Sequence, residues 1–361
     1  MASSFRRYVG TFPVVYPDSK DIILPNLGIE KMMTSVAFLN SEQKTRPIHE
    51  VMNFGGLVFL DCGIFQRGTY KKNFTWTEIS EHREKLIQWY AHLKPDIASS
   101  LDLPSPLGLE KELKKERLIW SIENYKLMKT QLDTPLSLGL SLLSNMEIRF
   151  SKMQIQKILA GHPELLGLGG LVPLMRASET NYELGRLILH LIHEVHKNFS
   201  NSLIHVYGLG DHKWYPLIRL LGASSSDYSG YHYITGRGGI LLPGSSEKYL
   251  LRIIKHKKKN GYAYYTRPDD KIFSKEELRK LYGCHCPSCT DIDPAFLEFD
   301  RDRRLVHNLY VILEECKLVD EFIWNSDVEG LRKHIEEVFR DNHMKLFAQY
   351  ALKLLRRYNS P

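Results

Sequence analysis

Cysteine is scarce in this chain, with five among 361 residues. Cys62 and Cys316 stand alone, so there is no disulfide framework of the kind that staples small secreted domains. No apolar run reaches the length needed to cross a bilayer. The opening residues, Met1-Ala2-Ser3-Ser4-Phe5-Arg6-Arg7, lack the apolar core of a signal peptide. These absences lead to the expectation of a reduced, cytoplasmic protein with no membrane contact. There is also no internal repeat, no low-complexity segment and no dinucleotide-binding glycine fingerprint. Net charge is a moderate +7, with 25% charged and 43% hydrophobic residues. That composition supports a sizeable core in one large domain or two. It permits a polyanionic partner without requiring one.

Three of the five cysteines fall in one stretch, Gly283-Cys284-His285-Cys286-Pro287-Ser288-Cys289. Cys-x-Cys-x-x-Cys lets a tight loop wrap a single ion, and His307 supplies a fourth ligand from a following helix. Three thiolates and one imidazole make a closed tetrahedral zinc site with no open coordination position. The alternative is a turn of buried thiols. In the zinc reading the ion does no chemistry. It pins a late segment onto the body that carries the function.

From about residue 31 a rhythm sets in. Short apolar or small-residue runs at 33–38, 57–61, 97–102, 136–140, 165–169, 203–208, 223–227 and 238–242 read as strands. Amphipathic patterns at 77–93, 109–129, 152–160, 182–198 and 212–221 read as helices. Strands alternating with helices predict parallel α/β architecture, and eight runs favour a (β/α)8 TIM barrel over an open doubly wound sheet. The expected division is an irregular segment over 1–30, punctuated by Pro13, Pro17 and Pro25, a barrel over 31–270, and a zinc-binding helical subdomain over 271–361.

Asp61, Asp102 and Asp227 each end, or nearly end, a strand-like run. Carboxylates are poor strand residues. At the C-terminal ends of barrel strands they would converge on one mouth, where such barrels do chemistry. Any one of them taken singly reads equally as a helix cap. Leu168-Gly169-Gly170-Leu171 and Gly208-Leu209-Gly210 follow strand runs, and glycines there let the backbone approach a flat ligand. The basic run Lys255-His256-Lys257-Lys258-Lys259 reads as a solvated helix end or as a phosphate contact. Nearby Tyr262, Tyr264, Tyr265 and Arg267 read as a packed strand or as a base-stacking surface.

Taken together these motifs resemble the tRNA-guanine transglycosylase superfamily, over about residues 30 to 315. Cys284-x-Cys286-x-x-Cys289 with His307-Asn308-Leu309 is similar to that family's zinc signature. Asp61-Cys62-Gly63-Ile64-Phe65-Gln66 is similar to its Asp-Ser-Gly-Gly-Phe-Gln, Leu168–Leu171 to its base-binding loop, and Gly222-Ala223-Ser224-Ser225-Ser226-Asp227 to the stretch ending in its nucleophile. The resemblance implies a pentosyltransferase that exchanges guanine in a nucleic acid for a 7-deazaguanine base through a covalent aspartyl-glycosyl intermediate. It implies Asp227 as nucleophile and Asp61 in proton transfer. It also implies Asp102, Phe65, Gln66, Gly169, Gly170 and Leu171 as base-binding residues.

Two departures matter. The region Gly139-Leu140-Ser141-Leu142 lacks the glutamine that usually helps read the base, and Tyr228 to Gly239 replaces the loop by which bacterial tRNA enzymes touch the anticodon. The runs Ser226–Tyr231 and Gly239–Ser245 look more like the DNA-acting, DpdA-type branch. The expected substrate is therefore DNA, receiving 7-cyano-7-deazaguanine, with Arg237, Lys248, Lys255, Lys257 and Lys258 as phosphate contacts. The same chemistry on tRNA and a non-catalytic nucleic-acid-binding subunit are the alternatives. A homodimer and an ATP-using helper that opens the duplex are partners that the resemblance leaves open.

Overall fold

Strand β3, Leu57–Asp61, shows how this chain builds its barrel. Val58 and Leu60 belong to the large core between strands and helices, while Phe59 belongs to a second, smaller core with Phe12, Met33, Ile97 and Leu165. Alternate side chains of one strand therefore serve two packed layers, as strand geometry dictates. The computed structural model describes residues 8–64, 74–106, 108–241, 248–251, 264–266, 284–290, 300–339 and 344–358.

The other strands of the main sheet are β1 Gly10–Pro13, β2 Lys31–Ser35, β4 Ile97–Ser99, β5 Leu136–Ser141, β6 Leu165–Gly169, β7 Leu203–Val206 and β8 Ser225–Tyr228. They lie in the order β1-β8-β7-β6-β5-β4-β3-β2, and every neighbouring pair is parallel. Val14 bridges Met33, and the Val15 N–H donates to the Met33 carbonyl at 2.8 Å, which joins the two outer strands and closes the ring. The protein is a (β/α)8 barrel. Helices between the strands cover its outside, among them Trp76–Leu93, Lys111–Lys129, Asn145–Leu159 and Tyr182–Asn198. Local signals start several of them. Thr75 and Glu78 form a capping box, and Ser144 and Asn181 cap their helices through side-chain oxygens.

The barrel's composition differs from the sequence expectation at one strand. The run at 238–242 does not join it. Gly239–Leu241 forms β9 of a separate antiparallel sheet with β10, Lys248–Leu251, and β11, Tyr264–Thr266. The missing barrel strand is β1, within the opening stretch expected to be irregular. It is four residues long and ends on Pro13, which has no N–H to give to a ladder. Proline punctuation therefore hid a real strand. A short helix, Val172–Ser178, also follows β6 where none was expected.

The long helix Arg301–Trp324 anchors the C-terminal part to the barrel. Leu305, Leu309, Ile312, Cys316 and Val319 sink into the main core. Near its end, buried Asp320 accepts from Arg219 Nε at 2.8 Å and from the Tyr215 hydroxyl at 2.8 Å. An unpaired charge buried there would cost several kcal/mol, roughly 3–5, so the pairing fixes this helix against the barrel. Helices Val328–Val338 and Lys345–Tyr358 complete the chain. Among the described residues no helix is long and apolar enough to cross a membrane. The segment 274–282, whose pattern reads as a helix capped by Ser274, lies outside the described residues.

Candidate active site and metal site

Parallel barrels aim all their C-terminal strand ends at one mouth. Here that mouth holds a cavity of about 310 Å3 whose lining includes Asp61 at the end of β3, Asp102 just past β4 and Asp227 on β8. The sequence-expected Gly169, Gly170 and Gly208 line it too, together with Tyr16, Ser35, Tyr207 and Arg176, which sequence reasoning missed. Leu171 is fully buried in the main core, so its side chain packs inward, and Val172 and Pro173 line the cavity instead. Phe65 and Gln66 lie outside the described residues.

Room for this constellation comes from glycine on the inner face. A Cβ on Gly139 would stand 2.8 Å from Asp102 Cβ, and one on Gly167 would stand 2.4 Å from the Tyr207 ring. Gly170, at φ +80°, takes a left-handed turn at the end of β6 that L side chains resist. Gly208 is also left-handed, at φ +76°, and its N–H donates to Asp227 Oδ1 at 2.9 Å.

The three carboxylates sit in different surroundings. Asp61 Oδ2 accepts from Ser35 Oγ at 3.0 Å and from the Gly63 N–H at 2.9 Å. Burial, with the neighbouring Asp102 charge, outweighs these bonds and pushes its carboxyl up to about 7. Asp102 is raised as well, by burial, against the Cys62 thiol that donates to its Oδ1 at 3.2 Å. Cys62 stands where the resembled motif has serine, and its thiol, pushed well above its ordinary value by burial, remains a neutral donor. Asp227 is buried and offers a different picture. Oδ1 takes the Gly208 N–H and lies 3.2 Å from His205 Nε2, while no donor among the described residues reaches Oδ2. A carboxylate held by one oxygen and bare at the other is disposed to attack.

Tyr207 spans the floor. Its hydroxyl lies 2.8 Å from Ser99 Oγ and 3.3 Å from Ser137 Oγ, and burial pushes its pKa well above the usual tyrosine value. Tyr16 also lines the cavity, its ring 4.4 Å from that of Phe38. The signal for His205 and Tyr207 was present as period-two alternation. Both share the inner face of the β7 run with Leu203, and Ser35 pairs in register with Asp61.

Of the expected phosphate contacts, Arg237 is described. It is exposed, and its guanidinium lies 4.1 Å over the ring of Tyr233, which is 58% exposed. Both follow β8 on the Gly230–Gly236 helix and its C-cap, near the cavity-lining Ser229. Lys248 lies on β10. Lys255, Lys257 and Lys258 lie outside the described residues, as do Tyr262 and Arg267, while Tyr264 and Tyr265 fall on β11.

The cysteine loop meets the Arg301–Trp324 helix away from this cavity. The sulfurs of Cys284, Cys286 and Cys289 and a nitrogen of His307 all lie within 4.8 Å of one another. His307 Nδ1 is 3.4, 3.6 and 3.3 Å from the three sulfurs. Ordinary zinc–sulfur and zinc–nitrogen lengths in a tetrahedron place sulfur and nitrogen about 3.6 Å apart, so the four donors are spaced for one ion. His307 Nε2 lies 2.8 Å from the Leu241 carbonyl, which can only accept. Nε2 therefore carries the proton and Nδ1 turns its lone pair toward the three sulfurs, the usual outer-shell arrangement of a metal-bound histidine. The next residue, Asn308, accepts from the Leu241 N–H at 2.9 Å and donates to the Gly239 carbonyl at 2.9 Å. These two residues tie the ligand helix to β9.

No protein-family model matches the chain. Curated proteins do. The chain is 24% identical over 377 residues to the tRNA-guanine(15) transglycosylase of Methanocaldococcus jannaschii, covering 96% of this chain and 50% of that protein. It is 22% identical over 362 residues to the protein of the same name from Methanococcus aeolicus, covering 95% and 49%. With that from Sulfolobus acidocaldarius it shares 26% over 331 residues, covering 86% and 57%. The chain thus spans about half the length of the curated relatives it matches. This likeness supports the superfamily resemblance read from the motifs. It does not distinguish a DNA-acting branch.

Proposed function

We propose that the chain is a guanine transglycosylase that exchanges a guanine in a nucleic acid for a 7-deazaguanine base. The observation that carries the reading is the convergence of Asp61, Asp102 and Asp227 on one cavity, each with a different environment. The likeness to tRNA-guanine(15) transglycosylases supports it.

The chemistry follows from those environments. Asp227 Oδ2 attacks C1′ of the target nucleotide, the C1′–N9 bond breaks, and its electron pair leaves with guanine. A carboxyl raised to about 7 can be protonated near neutrality, so Asp61 gives the leaving base its proton. The incoming base then attacks C1′ through N9, the C1′–Asp227 bond breaks, and the N9 proton returns to Asp61. One proton leaves and one comes back, so the cycle needs no oxidant, reductant or nucleotide energy. Two displacements at one carbon retain configuration, as in retaining glycosidases. Asp102 accepts hydrogen bonds from the base edge, and the backbone at Gly169 and Gly170 admits the flat ring. Zinc is the ion we assign to the Cys284, Cys286, Cys289 and His307 site, where it holds the cysteine loop and is remote from the reaction.

For the polymer, the resemblance of Ser226–Tyr231 and Gly239–Ser245 to the DpdA-type branch favours DNA, with 7-cyano-7-deazaguanine as the incoming base. The names of the curated relatives favour tRNA as the second reading. A duplex would have to release its guanine from the stack, at a few kcal/mol. Phosphate contacts by Arg237, Lys248, Lys255, Lys257 and Lys258, or an ATP-using helper, would offset that. The test offers labelled guanine and labelled 7-cyano-7-deazaguanine to the purified protein with duplex DNA, single-stranded DNA or unmodified tRNA. Label in DNA alone supports the DNA reading, and label in tRNA alone replaces it with the second. Label in neither, with no adduct trapped at Asp227, rejects the activity for the chain by itself.

A further inference from the structure

The inner face of β7 places a histidine directly against the β8 carboxylate. His205 is fully buried. Its Nε2 lies 3.2 Å from Asp227 Oδ1 and its Nδ1 lies 2.9 Å from Ser225 Oγ. Phe12, Phe59 and Tyr207 enclose the ring, with centroids 5.9, 4.9 and 4.7 Å away. An ionised carboxylate accepts only, so the nitrogen facing it must be the one that carries hydrogen. Neutral imidazole then has a lone pair at Nδ1, which the Ser225 hydroxyl can fill. The chain Ser225 to His205 to Asp227 is thereby satisfied throughout by one uncharged tautomer.

We propose that His205, oriented by Ser225, is a positioning residue for Asp227: it fixes the carboxylate through Oδ1 so that Oδ2 faces the reacting carbon. The proposal rests on the transglycosylase reading. Two donors, the Gly208 N–H and the His205 Nε2–H, converge on Oδ1 and no described donor reaches Oδ2. When Oδ2 bonds to C1′, Oδ1 becomes the carbonyl oxygen of the glycosyl ester and keeps both hydrogen bonds. When the incoming base displaces the ester, charge returns to the carboxylate where the same donors already wait. A donor preoriented in a dry setting needs no reorganisation in either half-reaction, which is how such groups stabilise developing charge.

The test compares wild-type protein with His205→Gln, whose amide N–H can reach the same oxygen, and with His205→Phe, which keeps a ring and loses the donor. We expect His205→Phe to lower kcat and the rate of adduct trapping at Asp227 about 100-fold, the scale of one lost oxyanion-type donor. KM for the base, nucleic-acid affinity and thermal stability should stay near wild type, and His205→Gln should restore most of the rate. An unchanged kcat in His205→Phe, or a Gln variant as slow as the Phe variant, overturns the proposal. A second readout is independent of turnover. Long-range 1H–15N spectra should show the Nε2–H tautomer in wild-type protein, and its proton should shift in Asp227→Ala. An Nδ1–H tautomer overturns the proposal whether or not exchange is seen. Absence of exchange with the Nε2–H tautomer intact would instead reject the transglycosylase reading.

Discussion

Asp102 occupies the space that a side chain at position 139 would need. A Cβ on Gly139 would approach Asp102 Cβ to 2.8 Å and its carboxyl carbon to 3.0 Å. The glycine stands on the inner face of β5, in a region where the resembled family usually carries a base-reading glutamine. With glycine at that position, the Asp102 side chain fills the wall there.

Gly139→Ala should therefore push Asp102 out of position. Forcing one methyl into a packed interior costs about 1–3 kcal/mol. Base exchange should fall at least roughly tenfold, chiefly as a raised KM for the incoming base, because a displaced reader weakens ground-state and transition-state binding alike. Steady-state kinetics over base concentration measure this. A lowered kcat at unchanged KM would place Asp102 outside base recognition.

Asp61 makes activity and stability depend on pH in a defined sense. Burial first, then the Asp102 charge, lift its carboxyl from 3.8 to about 7. Between those values the folded chain holds a proton that the unfolded chain has released. Stability from this group should fall as pH rises through that window, by at most about 1.4 kcal/mol per unit. Asp102, raised by burial, acts in the same direction. Denaturant unfolding at pH 5 and pH 7.5 should show a smaller decline in Asp61→Asn than in the wild type. Exchange needs the acid form for the leaving base and the base form for the entering one. Its rate should peak near neutrality, and Asp61→Asn should abolish both limbs together with most of the rate.

Much of this was legible before the structure. Parallel strands buried on both faces write themselves as apolar runs, so seven of the barrel strands could be read, and the polar residue at a run's end marked Asp61, Asp102 and Asp227. The cysteine spacing needed only local chain geometry. What escaped were residues whose role comes from register. β1 is four residues ending in proline, and only its place between β8 and β2 makes it a strand. His205 and Tyr207 looked like ordinary members of a strand, because nothing local says that β8 brings Asp227 opposite. Leu171 misled for the opposite reason. It follows the two cavity glycines in sequence, yet the helix starting at Val172 turns it into the core.

Removing the metal should loosen the C-terminal part before it touches the chemistry. The four donors are spaced for a tetrahedral ion, and His307 is fully buried with its other nitrogen committed to Leu241. Purified protein should contain one zinc per chain by elemental analysis. Cys286→Ser should lose it and lower stability by several kcal/mol, since metal binding of this kind is coupled to folding. Asp227→Ala should retain both metal and stability. Equal stability of wild type and Cys286→Ser without bound metal would return the cluster to a turn of buried thiols.

Tyr233 and Arg237 give the proposed nucleic-acid contact its sharpest test. Tyr233 is 58% exposed although it is aromatic, and Arg237 lies 4.1 Å over its ring, with no ion pair to an acid among the described residues. Exposed rings beside cations stack bases and hold phosphates, at about 1–3 kcal/mol per stacked base. Arg237→Ala should weaken nucleic-acid binding across sequences and reduce the slope of log affinity against log salt by about 1, because one phosphate contact is lost. Tyr233→Ala should weaken binding with the salt slope unchanged, since stacking releases no counterions. Both variants should keep the kcat measured at saturating substrate, for neither residue lines the cavity. Fluorescence anisotropy with labelled single strands over a salt series separates the two effects. Unchanged affinity in both variants would move the nucleic acid off this helix and onto another face of the barrel mouth.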